Sequence, residues 1–260
     1  MDLTDLLGLD AAALSAYVRR RLRGDEPVDP PLSFRHRVEP PGDFLIRACH
    51  GPGGVDFRNH LIAAIDANLS LACLDLARAE CDKPTRDYLA GLAFLATTIE
   101  ATELGPRFYQ VATALVTSPA NWGAALKHVL RATTRLCNDP TIVPFWRHLL
   151  ADHRAQVRGY AYVGLANLDA ELTDLPGMID DNEGDPATLA WYLAAVRPGI
   201  SALAQAARRL DSGRKARLHD ALAKAGADQD MLRQLGGFLF LVPPSAEADR
   251  PAWRPESKAA

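Results

Sequence analysis

No stretch of this chain is apolar without interruption for the roughly 18 positions that a membrane-spanning helix requires. Met1–Leu22 also lacks the basic-then-apolar order of a secretory signal, so the expectation is a soluble, cytoplasmic protein. Cysteine is scarce: Cys49, Cys73, Cys81 and Cys137 form no CxxC pair and no tight framework, which points to free buried thiols. The glycines of His50-Gly51-Pro52-Gly53-Gly54 are not followed by the Lys and Ser/Thr of a phosphate loop, and GxGxxG is missing, so a turn between helices is expected there. Period-two alternation is absent as well. One continuous apolar run with strand character, Phe238–Val242, is expected either to cap the end of a core or to dock elsewhere.

What remains is helical. Among the 260 residues 48% are hydrophobic, enough for a substantial core, and they recur at three- and four-residue intervals. Helices are expected at Asp2–Leu7, Asp10–Leu22, Asp43–Cys49, Val55–Glu80, Thr85–Glu100, Leu104–Thr117, Ala120–Cys137, Thr141–Ala151 and Arg154–Leu168. They continue at Leu172–Asp180, Pro186–Val196, Ile200–Leu210, Arg214–Ala225 and Asp228–Leu235. The breaks carry fitting chemistry, such as Gly105-Pro106, Ser118-Pro119, Asn138-Asp139-Pro140 and Pro198-Gly199. Residues 1–23 read as an N-terminal helical segment and 24–42, with five prolines, as a linker. Residues 43–242 read as the main helical domain and 243–260 as a disordered tail.

The stretch that organises the chain is Ile142–Leu168. Ile142, Phe145, Trp146, Leu149 and Leu150 make one apolar stripe, entered through Pro144; Asp152 is a good N-cap, and Val157, Ala161, Leu165 and Leu168 make a second stripe. The order Pro144, Leu149-Leu150, Asp152, Val157-Arg158, Ala161, Leu165, Leu168 resembles a single HEAT repeat. That resemblance implies an all-α fold, a right-handed superhelical stack of antiparallel helical hairpins of the HEAT/ARM-like α-solenoid kind. It also implies that Asp152 caps the second helix and that Arg158 bonds to the turns of adjacent repeats. A second hairpin echoes the first, with Pro176 32 positions after Pro144 and Asp185 33 after Asp152.

Charge is unevenly spread although the net value is only −3. From Arg107 to Tyr160 seven Lys/Arg (Arg107, Lys127, Arg131, Arg135, Arg147, Arg154, Arg158) face two acids, whereas Ala161–Ile200 holds seven acids against Arg197. Lys127, Arg131 and Arg135 follow one another at i,i+4 and so share a helix face. Two readings fit: a solvated face whose charges pair between hairpins, or a docking surface built from Lys127, Arg131, Arg135, Arg147, Arg154 and Arg158. Trp122, Trp146, Tyr160 and Tyr162 offer either flat contacts or core, and Trp146, lying on the apolar stripe, belongs to the core.

Cys49, His50, Asp56 and His60 are the residues from which a metal or nucleophile site would be built, with Asp56 and His60 on one face at i,i+4. No third ligand pair follows at a recognisable spacing, so no catalytic, cofactor or metal residue is assigned. The expected function is therefore a non-enzymatic protein–protein interaction or adaptor module whose basic surface meets a protein partner with an acidic segment. Nucleic-acid binding by the same stripe is the alternative. A base-enclosing enzyme of the HEAT-like DNA glycosylase type is a third, without a catalytic motif that aligns.

Overall fold

A computed structural model describes residues 9–23, 49, 54–77, 83–169, 171–193, 195–196 and 199–224. The linker 24–42, the turn at 50–53, the helices expected at Asp2–Leu7 and Asp228–Leu235, the run Phe238–Val242 and the tail 243–260 lie outside the described residues, as does Asp43–Cys49 apart from Cys49 itself. All regular structure among the described residues is helical. The chain divides into two compact units, Met1–Gly164 and Leu165–Ala260.

The first unit opens with α1 (Ala11–Arg23). Its N-terminus is capped by Asp10, whose carboxylate accepts the Ala13 amide at 2.8 Å. Leu14, Tyr17, Val18 and Leu22 recur at three- and four-residue steps and are buried. This stripe packs α1 against both α2 (Gly54–Ala77) and α3 (Lys83–Thr98), so the N-terminal segment belongs to the same core. A short 3-10 turn, Thr102–Leu104, leads to α4 (Gly105–Thr117), and α5 (Gly123–Leu136) returns alongside it. Helix α2 packs on α3 and α4, α3 packs on α5, and α4 packs on α5.

Polar groups that the stripe pattern does not announce join these layers. Asn68 on α2 is fully buried; its amide donates to Ala64 O (2.7 Å) and to Ser15 Oγ on α1 (3.0 Å), while the Tyr88 hydroxyl on α3 donates to its carbonyl oxygen. One side chain thus satisfies groups from three helices. Arg58 on α2 donates to Glu100 O at 3.1 Å and Ile99 O at 3.3 Å, a cation set against the C-terminal carbonyls of α3. Glu100 itself turns the chain with φ of 52°.

The Asn138-Asp139-Pro140 break acts slightly later than the periodicity suggests. Asp139 accepts the Thr141 amide at 2.8 Å and Pro140–Ile142 form a 3-10 turn, so α6 is shorter than the expected Thr141–Ala151 and spans Val143–Leu149. Its partner α7 (Ala155–Leu168) begins after a tight turn. Of the two stripes, Ile142, Trp146, Leu149, Val157, Ala161 and Leu165 are buried, while Phe145, Leu150 and Leu168 are half-buried. Two glycines set close approaches: a Cβ at Gly164 would lie 2.4 Å from the Trp146 ring, and one at Gly105 would lie 2.5 Å from Leu136 O.

Helix α7 runs across the division between the units. In the second unit α8 (Leu175–Asp181) and α9 (Pro186–Leu193) are followed by α10 (Gly199–Arg208) and α11 (Ser212–Lys224), with α8 and α9 both packed on α11. Asp185 caps α9: it accepts the Thr188 amide at 3.0 Å and the Thr188 hydroxyl at 2.6 Å. Leu189, Leu193, Leu218 and Leu222 fill the core between α9 and α11.

Candidate functional site

Helix α5 carries the basic row. Lys127 and Arg135 are exposed and Arg131 is half-buried, while Ala125, Leu126, Val129, Leu130 and Ala132 on the same helix are buried. An i to i+4 step overshoots one helical turn by roughly 40°, so three cations at that spacing drift round the helix. The drift has a structural consequence. Lys127 lies on a groove between the N-terminal turns of α5 and α7, whereas Arg131 and Arg135 lie on a second groove between α5 and the C-terminal end of α3.

The α5/α7 groove encloses about 230 Å³ and has Leu126, Leu130 and Val157 in its lining, with Trp122 and Tyr160 in its walls. The chain enters α5 through Gly123, whose φ of 48° suits glycine, and Asn121 accepts the Gly123 amide at 3.0 Å. The α3/α5 groove, about 210 Å³, is lined by Phe94, Thr97, Thr98, Glu100 and His128 besides the two arginines. Burial, with Lys127 and Arg131 nearby, pushes the His128 imidazole below its ordinary pKa, which disfavours a positive charge there.

The remaining predicted cations separate by role. Arg147 is exposed on α6. Arg154 is held by Asp152 through two bonds, Nε to Oδ1 at 2.9 Å and Nη2 to Oδ2 at 2.8 Å, and the pair holds the Asp152 carboxyl down at about 2. Arg158 donates to Asp152 O at 2.9 Å and His153 O at 3.3 Å, closing the turn of its own hairpin. Arg154 reaches the preceding hairpin, donating to Val116 O at the end of α4 at 3.4 Å. Asp152 is also displaced from the cap expected of it: it accepts the Arg154 amide at 2.8 Å in an Asx turn, and Arg154 O receives the first helical bonds.

The segment arithmetic of charge changes once partners from other helices are included. Arg107 donates to Asp66 of α2 at 2.8 Å. In the second unit Arg214 grips Asp180 at 2.6 Å and Asp211 at 2.8 Å, Arg217 bonds Asp180 and Glu183, and Arg209 reaches Glu171. Three acids of the run, Glu171, Asp180 and Glu183, are thus matched by arginines lying outside it in sequence. Those partners sit 34 to 38 positions away, beyond any helical period.

Of the four aromatic residues singled out from the sequence, Trp122, Trp146 and Tyr160 are core and Tyr162 is half-buried. Trp146 makes an edge contact with Phe145, which in turn meets Tyr109 of α4 with ring centroids 5.2 Å apart. Asp56 and His60 are exposed on α2, and burial raises the pKa of the Cys49 thiol; His50 lies outside the described residues. Among the described residues no three His, Cys, Asp or Glu side chains converge as a metal would need. Cys49, Cys73 and Cys137 are free thiols, and no described helix is long and apolar enough to cross a membrane. Comparison with protein families, with curated proteins and with solved structures finds no match.

Proposed function

We propose that the chain is a non-enzymatic helical-repeat adaptor that docks an acidic segment of a partner protein on the basic face of α5. The observation that carries this reading is the placement of Lys127, Arg131 and Arg135 in a row on one helix with a groove on either side. Such a surface combines charge of one sign with concave space for side chains. The burial of Trp122, Trp146 and Tyr160 favours a protein over single-stranded nucleic acid, which needs exposed rings to stack its bases.

The repeat part of the proposal rests on the packing order. Helices α2 and α3 form one hairpin and α4 and α5 the next; α2 packs on α4 and α3 on α5, first helix on first and second on second. The Tyr109–Phe145 contact continues the first-on-first order from α4 to α6. That register is what a solenoid of HEAT-like hairpins uses.

The test is affinity capture on immobilised full chain, with and without nuclease, beside a Lys127→Gln/Arg131→Gln/Arg135→Gln variant. Proteins that survive nuclease and are lost with the variant support the adaptor. Binding that nuclease abolishes, and that falls steeply with salt, replaces it with a nucleic-acid-binding function.

A further inference from the structure

The two grooves that flank the basic row are not equivalent, and the difference selects an occupant. The geometry points to the α5/α7 groove as the seat of one apolar side chain of an acidic peptide, its flanking carboxylates meeting the rim; this deepens the adaptor reading and rests on it.

The floor supplies the apolar half. Leu126, Leu130 and Val157 form a surface of aliphatic carbon between the two helices, in a space the size of a large side chain. The rim supplies the charge. Lys127 stands on it exposed, and Arg154 stands on it with its guanidinium fixed and its charge matched by the bidentate bond to Asp152. Both helices also begin at this groove, with Gly123 in its lining on one side and Ala155 and Gln156 on the other. Two positive helix ends add to the Lys127 charge, and each first turn leaves amides without a helical acceptor.

The α3/α5 groove is built differently. It lies at the C-terminal end of α3, where Arg58 already takes the Ile99 and Glu100 carbonyls, and Phe94, Thr97, Thr98, Glu100 and His128 line it in place of an aliphatic floor. None of its lining residues opens a helix, so it offers no first-turn amides to an anion. A peptide that pairs an apolar anchor with carboxylates therefore fits the Lys127 end better than the Arg135 end. The i,i+4 row then acts as a steering surface with its seat at one end.

Selection of a random dodecapeptide display library on the full chain tests this, followed by fluorescence anisotropy of the enriched peptides. The expected peptides carry one aromatic or large aliphatic residue flanked by Asp or Glu, and replacing either the anchor by serine or the acids by amides weakens binding at least tenfold. Gln156→Glu, which places a carboxylate on the rim and suits the first turn of a helix, is expected to weaken binding severalfold, and Gln156→Lys to strengthen it. Ala155→Trp, at an exposed position, should fill the groove and abolish binding; unchanged circular dichroism and urea midpoint for Gln156→Glu show that the fold is intact.

Acidic peptides that ignore Gln156→Glu and Ala155→Trp but are lost with Arg131→Gln/Arg135→Gln overturn the choice of groove and leave the adaptor standing. Enrichment of peptides without acidic residues, or no enrichment, overturns the inference. Anisotropy with a labelled oligonucleotide, bound tightly while no peptide is, overturns the adaptor reading as well.

Discussion

Gly164 shows how one missing side chain sets a helix separation. A methyl group there would stand 2.4 to 2.7 Å from three atoms of the Trp146 indole, which is fully buried and backed by Phe145. The ring has no room to retreat. Gly164→Ala is therefore expected to destabilise by about 1–3 kcal/mol despite the better helix propensity of alanine, and a lower urea midpoint with an unchanged slope would show it. Neither the closeness of Trp146 nor the three-helix role of Asn68 is legible locally, because both depend on which helices touch. The buried stripes, by contrast, are visible as spacing: Leu14, Val18 and Leu22 announce a face before any partner is known.

At the scale of elements, the turn between α6 and α7 is held by charge. Arg154 depresses the folded-state pKa of Asp152, so the pair stabilises the folded state fully above the unfolded carboxylate value near 4 and loses that contribution as pH falls toward 2. The contribution is on the order of 1–2 kcal/mol after allowing for partial exposure. Acid titration of stability should show the wild type losing more between pH 4 and 2 than Asp152→Asn, which keeps the Asx-turn acceptor without the charge. Equal acid slopes in the two proteins would contradict this assignment. The Asp180 clamp between α8 and α11 is more exposed, and Arg214 is the main cause of its lowered carboxyl pKa. Arg214→Met should lower Tm slightly at low salt and less at 0.5 M, roughly, where exposed charges are screened.

At the scale of the molecule, the chain divides into two compact units, and Asn68 belongs to the first. Asn68→Ala removes the buried amide that bonds the Tyr88 hydroxyl and Ser15, at a cost of about 1–3 kcal/mol. Hydrogen exchange should speed up in α1 to α5 and stay nearly unchanged in α8 to α11, as expected where local opening follows cooperative units. Uniform acceleration along the chain would mean that the molecule unfolds as one body.

Sequence by itself determined the helical class, most helix positions and the buried faces, since all three follow from short-range spacing, capping groups and prolines. It also placed the three cations on one helix. Tertiary structure decided what those charges do, because their partners are distant in the chain: Arg107 is drawn to Asp66, Asp180 and Glu183 to Arg214 and Arg217, and Arg158 to turn carbonyls. It also decided that Lys127 and Arg135 stand on different grooves. A helix that repeats every 3.6 residues cannot keep an i,i+4 row straight, and only the placing of α3 and α7 beside grooves that α5 also lines turns that drift into two unlike sites.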